Sequence, residues 1–365
     1  MSRTGPNPET EVFRPVAADR IEPGWIASRL ESWFPGHRRD LPWRQRRTPW
    51  RTLVSELMLQ QTQVSRVAER FEPFMTRFPD PTAMVAAGED AVVTAWEGLG
   101  YYRRARLLHA AAVAIRDDHG GEVPDTVEAL LGLPGVGRYT AGSIASIAFG
   151  RPAPIVDGNV IRVIARIDAI DAASDDPALI EHCWRRAEGL AAVAESPGVL
   201  NESLMELGAT VCRPGTPSCE ACPLGDRCGA RREGIEDSIP RPKRPPQREL
   251  VHLHCILLRR GERILLRRRP SKGIWAGLWE LPSVESASRL EPEAIAAGLD
   301  FRVEALRHVE SFRRLLTHRE VHFHVHEGRT RVRRGTWCDR GAASTLAMSK
   351  PMRLLVDRRA WGATD

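Results

Sequence analysis

Apolar residues recur at helical spacing from Trp25 to about Arg232. Leu53, Val54, Leu57 and Met58 form one stripe, Val92, Val93 and Trp96 a second, and Leu107, Leu108 and Ala111 a third. Short loops carrying Pro or Gly part these stripes, among them FPDP at 78–81 and HGGEVPD at 119–125. No alternating run of useful length interrupts them, so residues 25–232 are expected to be all-α. The pattern then changes. Prolines 240, 242, 245 and 246, with Arg241, Lys243 and Arg244 among them, predict an extended linker over 233–249. From Leu250 the apolar runs are short and strand-like: VHLHCILL, ERILLRR, EVHFHVHEG and TRVRR, with a helix-like EPEAIAAGL between them. A second domain, α+β, is expected over 250–361. His322, His324 and His326 share one face of their strand, opposite Val321, Phe323 and Val325, and are expected to face solvent; a metal site is the other reading.

The chain of 365 residues is long enough for two or three domains with their own cores. Residues 1–24 are polar and proline-bearing, without the apolar centre of a secretion signal, and are expected to be a disordered tail. No run of 18 apolar residues predicts a membrane span. A monomeric, cytoplasmic protein with reduced thiols is expected, with no protein partner indicated. The pI near 9.2 and net charge of +6 suit a polyanionic partner. Residues 231–270 hold 12 basic side chains against 5 acidic ones, which reads as a phosphate-facing patch or as a solvated linker. Only Lys243, Lys272 and Lys350 are lysines, an imbalance that reads as codon bias. Its chemical consequence is that residues 1–242 offer no lysine amine.

Three constellations carry chemistry. Leu133 to Asp157 reads LPGVGRYTAG, an apolar helical run, then VDGNV. Gly135 and Gly137 lie in a turn that opens a helix, where backbone N–H groups and the helix dipole can hold a phosphate oxygen. Asp157 follows Ile155 and Val156 and could stabilise a cationic sugar; the plainer reading is an Asx-turn acceptor ahead of Gly158 and Asn159. Glu56, in SELMLQQTQV, lies among Leu53, Leu57 and Leu59, where burial would raise its pKa toward that of a general acid. On that segment alone a surface glutamate is the plainer reading. Gln60, Gln61 and Thr62 beside it could read base edges or only cap the helix. Last, Cys212, Cys219, Cys222 and Cys228 form C-x6-C-x2-C-x5-C, four thiols close enough to be metal ligands, for which structural zinc is the generic reading.

These residues resemble a known family. LPGVGRYTAG with VDGNV looks like the helix–hairpin–helix DNA glycosylase signature, and the 6-2-5 cysteine spacing looks like its [4Fe–4S] subgroup. Within it, LPWR (41–44), SELMLQQTQV, GLGYYRRAR (98–106) and NESLMELGATVC (201–212) resemble the MutY-type adenine DNA glycosylases over roughly residues 25–360. The resemblance implies an enzyme that removes adenine mispaired with 8-oxoguanine or guanine in double-stranded DNA. It implies that Glu56 protonates the adenine ring and Asp157 stabilises the sugar cation, with Asn159 and Tyr139 shaping the site. Trp43, Arg44 and Glu202 would line the adenine pocket once the base is flipped out. Gln61, Leu99 and Tyr101 would fill the gap in the duplex or contact the lesion strand, and Gly135 and Gly137 would hold a phosphate. Bifunctional relatives resembling endonuclease III carry a lysine where this chain has Tyr139, so base loss is expected by water attack, leaving an abasic site. GIWAGLWELP (273–282) and LLTHREVHFHV (315–325) resemble the Nudix-like domain of the same family. The acids that hold Mg²⁺ after an Arg-Glu pair are missing after Arg319-Glu320, so this domain is expected to bind without hydrolysing. Thr317 and His318 stand in its lesion-contacting turn, where the family usually shows Phe-Ser-His. An endonuclease III-like pyrimidine glycosylase and a non-catalytic DNA-binding protein are the alternative readings.

Overall fold

The computed structural model describes residues 21–243 and 247–362. The tail expected over 1–24 lies outside them as far as residue 20, as do residues 244–246 of the expected linker. Ordered structure starts earlier than Trp25: Ile21 is buried, and a helix opens at Pro23, whose missing N–H is no loss in a first turn.

Two compact units emerge from the contacts. One holds the described residues up to Met75 with those from Val113 to Lys243; the other holds Thr76–Ala112 with those from Gln247 on. Residues 76–112 were expected in the helical domain, yet their partners lie in the C-terminal half. The Tyr102 hydroxyl donates to the Met348 carbonyl at 2.8 Å, and the Arg353 guanidinium forks onto Glu97 at 3.0 and 3.1 Å. Apolar periodicity reports a helix but not the core that the helix joins.

The first unit has no named strand among its described residues. Its core packs the helices Pro23–His37, Gly158–Ile167, Pro177–Val193 and Pro197–Thr210 around Leu30, Ile155, Ile164, Leu200 and Leu204. Two glycines permit the closest approaches. A Cβ on Gly142 would lie 2.1 Å from the Pro154 carbonyl oxygen, and one on Gly208 would lie 2.6 Å from Asn159 Cβ. Both hold the Ile155–Asn159 segment against its neighbours, which fixes where Asp157 points.

The second unit is built on a seven-stranded mixed sheet: β1 (Glu249–Arg260), β2 (Arg263–Arg268), β3 (Trp279–Glu280), β4 (Ser283–Ser286), β5 (Glu304–Leu315), β6 (Arg319–Arg329) and β7 (Thr336–Cys338). The main path runs β3-β2-β1-β6-β5, with β4 paired to β1 and β7 to β2; β1 and β6 are parallel, in register from Glu249–Arg319 to Leu258–Gly328. Leu253, Cys255 and Leu257 of β1 and Val321, Phe323 and Val325 of β6 form one core with Met352, Leu355 and Val356 of the helix Lys350–Trp361. TRVRR, expected as a strand, is irregular between β6 and β7. Val332 is its one apolar residue, so it has no alternating apolar face to hold a strand.

The opposite face corrects the expectation for the histidines. His254, His324 and His326 are buried, and together with His252, His308 and His322 they form a stacked imidazole layer. His252 Nδ1 and His324 Nε2 are 2.9 Å apart, Ser311 Oγ bridges His324 Nδ1 and His308 Nε2 at 2.9 Å each, and the Leu290 amide donates to His254 Nε2 at 3.2 Å. Burial first, then neighbouring imidazoles and the charge of Arg289, lowers His254, His324 and His326 to about 4. The native state therefore binds fewer protons than the unfolded chain between about pH 4 and 6.5, so stability falls as pH drops through that window. Hydrogen exchange of β5 and β6, corrected for its intrinsic pH dependence, should speed up from pH 7 to pH 5. In His324→Gln that pH dependence should flatten.

Candidate active site

Glu56 lies in the helix Pro49–Leu59, which starts at Thr48, whose side chain accepts from the Arg51 amide at 3.2 Å. Residues 52–58 are all buried, with Leu53, Val54, Leu57 and Met58 packed in the core and Thr52, Ser55 and Glu56 lining a cavity. Glu56 is 7% exposed, so the surface reading of this glutamate fails. Ser143 Oγ donates to Glu56 Oε1 at 2.9 Å. Burial raises the Glu56 carboxyl to about 7; hydrogen bonds from Ser143 and Tyr139 oppose the rise, and the charges of Asp157 and Glu202 add to it.

Asp157 caps the helix Gly158–Ile167, accepting from the Val160 amide at 2.8 Å and from Asn159 Nδ2 at 2.9 Å. Burial raises its pKa, and those hydrogen bonds favour the charged form. The Asx-type cap is thus real, and it aims the carboxylate rather than excluding a chemical role. Asn159 Oδ1 in turn accepts from Arg162 Nη2 at 2.8 Å, and Arg162 Nε donates to the Cys212 carbonyl at 2.7 Å. A chain of three hydrogen-bonded side chains thus connects Asp157 to the first cysteine.

Glu56 and Asp157 line one cavity of about 570 Å³, with Tyr139, Asn159, Trp43, Arg44, Gln61 and Glu202. The structure brings these eight predicted residues together. Gly135 and Gly137 do not line it; they form the turn ahead of the helix Arg138–Ser143, Gly135 with φ +83° and Gly137 extended at the helix start. Leu99, Tyr101, Thr317 and His318 belong to the second unit. There Leu99 is buried, whereas Tyr101 is 46% exposed at φ +48°, and its hydroxyl meets Thr317 Oγ1.

Sequence reasoning missed part of the pocket. Arg44 donates to Glu202 at 2.9 Å and to Glu206 at 3.0 Å; Arg47 also reaches Glu202, and Arg39 reaches Glu206 at 2.7 Å. Burial pushes the Glu206 carboxyl up, but the Arg39 hydrogen bond and the Arg44 charge outweigh it and leave it below the ordinary value. Met205 accepts from the Tyr139 hydroxyl at 3.1 Å. The signal was available: Glu202 and Glu206 stand four apart on one helix face, opposite an arginine-rich LPWRQRR.

The four cysteines surround the segment after the helix Pro197–Thr210. Arg166 Nη1 lies 3.4 Å from Cys212 Sγ, and the Arg166 carbonyl lies 3.4 Å from Cys228 Sγ. Gly225 is pressed against this loop: a Cβ there would lie 2.7 Å from the Cys219 carbonyl oxygen and 3.3 Å from that of Cys222. Burial, with the neighbouring Cys212, Cys228 and Cys219 adding to it, pushes the Cys222 thiol up to about 12 against an opposing backbone hydrogen bond at Leu224. Among the described residues no three His, Cys, Asp or Glu side chains converge on one ion position.

Fold and site together define a base-excision DNA repair protein joined to a NUDIX domain. Residues 54–188 match the HhH-GPD superfamily of base excision DNA repair proteins, and residues 254–358 match the NUDIX domain. The chain is 34% identical over 393 residues to the adenine DNA glycosylase of Homo sapiens, covering 89% of this chain and 72% of that one. It is 43% identical over 218 residues to the adenine DNA glycosylase of Mycobacterium tuberculosis strain H37Rv, covering 59% and 70%. Among solved structures, a thermostable thymine-DNA glycosylase superposes with a TM-score of 0.53 at 28% identity, over 58% of this chain and 97% of that one. This chain belongs to the adenine DNA glycosylase family, enzymes that hydrolyse N-glycosidic bonds.

Proposed function

We propose that this protein is a monofunctional adenine DNA glycosylase acting on double-stranded DNA in which adenine is mispaired with 8-oxoguanine or guanine. The observation that carries this reading is a buried Glu56 with a pKa of about 7, in one cavity with a hydrogen-bonded Asp157. A carboxyl of that pKa is protonated in part at neutral pH, as a general acid must be. Glu56 gives its proton to a ring nitrogen of the flipped adenine, and the C1′–N9 electron pair leaves with the base. Asp157 faces the sugar cation, and water adds at C1′, its proton passing to the Glu56 carboxylate left after the first step. Trp43, Arg44 and Glu202 hold the purine, Tyr139 and Asn159 shape the site, and Gln61 stands at its rim. No lysine lines the cavity, so no lysine amine is placed there to attack the sugar.

An added Cβ at Gly137 meets nothing within 4 Å, so the fold does not require glycine there; close approach of a phosphate would. In the second unit Thr317 and His318, with Tyr101 against Thr317, suit contact with the strand opposite adenine. Among the described residues no helix is long and apolar enough to cross a membrane. The place of work in this reading is the cytoplasm, on the nucleoid if the cell is bacterial, with one copy of the chain on each mispair. The test is a duplex with one adenine opposite 8-oxoguanine, or opposite guanine, then hot alkali. Adenine release with an alkali-labile strand and little borohydride trapping is the expected result; efficient trapping would overturn the water-attack route.

Cys212, Cys219, Cys222 and Cys228 would hold a [4Fe–4S] cluster, which supplies cross-linking of the loop and an electron-rich anchor for Arg166. Purified protein should be brown and carry about four iron atoms per chain. A colourless, active preparation with one zinc would reject the cluster.

A further inference from the structure

One end of the sheet in the second unit carries an arginine surface that no step above uses. The segment 329–335 reads RTRVRRG, with four arginines and no acid. It is held in place rather than loose: Thr330 Oγ1 donates to the Arg302 carbonyl at 2.7 Å, and Arg260 Nη2 donates to the Val332 carbonyl at 2.8 Å. Val332 packs against the small core that contains Ile256, Leu258 and Val303, which turns its neighbours outward. Arg329, Arg331, Arg333 and Arg334 are exposed and make no ion pair among the described residues. Exposed Arg263 stands at the same end, through the Arg260–Arg263 pairing of β1 and β2. The local acids are few: Glu262 at the hairpin tip, and Glu304, which pairs with Arg302 at 3.3 Å.

This end is far from Thr317. Glu249, whose amide donates to the His318 carbonyl, starts β1, and Arg260 ends it, so the two ends are separated by roughly 35 Å of strand. That is several Debye lengths at physiological salt, so phosphates held at one end are not felt at the other. Between the ends, Arg307 pairs with Glu327, and Glu310 takes both Arg358 and Arg359, so acids on β5 and β6 interrupt the run of arginines.

We infer that the end formed by Arg329, Arg331, Arg333, Arg334 and Arg263 binds the phosphates of a second duplex DNA segment, separate from the one that presents the adenine. A protein with two phosphate-binding ends can pass from one duplex to another without being free in between. The inference rests on the glycosylase reading only for the identity of the polyanion as DNA, and its test is read independently of excision.

The experiment compares full-length protein with R331Q/R333Q/R334Q. These residues are not among those lining the catalytic cavity, so single-turnover excision on a short duplex should be unchanged. For the wild type, the dissociation rate from a labelled 30-base-pair duplex lacking any mispair should rise with the concentration of unlabelled duplex. In the triple variant it should not. The slope of log affinity against log salt should fall by about one for each arginine that held a phosphate. R331K/R333K/R334K should restore both effects. Equal competitor dependence and equal salt slopes in wild type and variant would overturn the inference. So would acceleration by poly-L-glutamate or single-stranded RNA but not by duplex, which would assign the surface to another partner. Failure to release adenine with transfer intact would sink the glycosylase reading alone.

Discussion

Replacing Glu56 by Gln is expected to abolish adenine release while duplex binding persists. Loss of a general acid lowers rate by about 10²–10⁴. Glutamine keeps the size of the side chain and an oxygen that can accept from Ser143, so the change isolates the proton. The pH profile gives a second readout. With a pKa of about 7, the wild-type kcat/KM should fall as pH rises through 7, and the variant's residual activity should not follow that limb. Stability falls with rising pH as well. A carboxyl raised from 4.5 to about 7 in the fold costs stability as pH rises from 4.5 to 7 and is a constant cost above that. The cost is on the order of 3 kcal/mol at most. The inactive variant should therefore be as stable as wild type at pH 5 and more stable at pH 8, measured by thermal unfolding. Near-normal excision, or a variant that unfolds more easily at pH 8, would refute the assignment.

That cost also explains which features the sequence discloses. Glu56 among Leu53, Leu57 and Leu59 is legible as a candidate, but on its own segment it reads as a surface glutamate, and its burial comes from packing the local pattern does not contain. Its partner Ser143 is not legible, since the hydrogen bond joins positions 87 apart. Arg39 and Glu206 stand 167 apart, so the spacing of Glu206 from Glu202 hints at a shared face but does not name Arg39 as its partner. Strands β1 and β6 are legible from alternation, but which face is solvated is not. Histidine alternating with valine reads as polar-out, and only the neighbouring strand, which brings His252 and His254 opposite, turns that face inward. Strand β5 escapes notice for the converse reason: as an edge strand it alternates little, with Glu304, Arg307, Glu310, Arg313 and Arg314 along it. The same limit applies to residues 76–112. Their helices are written in local spacing, but Glu97 and Tyr102 find their partners at Arg353 and Met348, 256 and 246 residues away. A fragment ending near Arg232 would keep every catalytic group and all four cysteines yet strip these partners, so it tests folding as well as lesion preference.

Asp157→Asn should be comparably severe, for a different reason, and the geometry makes it the cleaner electrostatic probe. The side chain has two jobs. As a helix cap it accepts from the Val160 amide, and Asn is as good a cap as Asp. As a carboxylate it would, in the proposed mechanism, face a sugar that becomes cationic when the glycosidic bond breaks, and only the charged form can answer that charge. Asparagine at this position keeps the cap and removes the charge, so helix Gly158–Ile167 should stay intact. Asn159 must reorient or lose its bond to Asp157 Oδ2, but its bond from Arg162 remains, and so does the link from Arg162 to Cys212. The iron content should therefore be unchanged. Binding to a duplex with adenine opposite 8-oxoguanine should hold within a few fold, while single-turnover release falls by about 10²–10⁴. Asp157→Ala separates the two jobs further: it loses the cap as well, at about 1 kcal/mol of stability, without a larger loss of rate than Asp157→Asn. If the asparagine variant turns over normally and the alanine variant only unfolds more easily, Asp157 is a helix cap and the sugar cation is stabilised elsewhere.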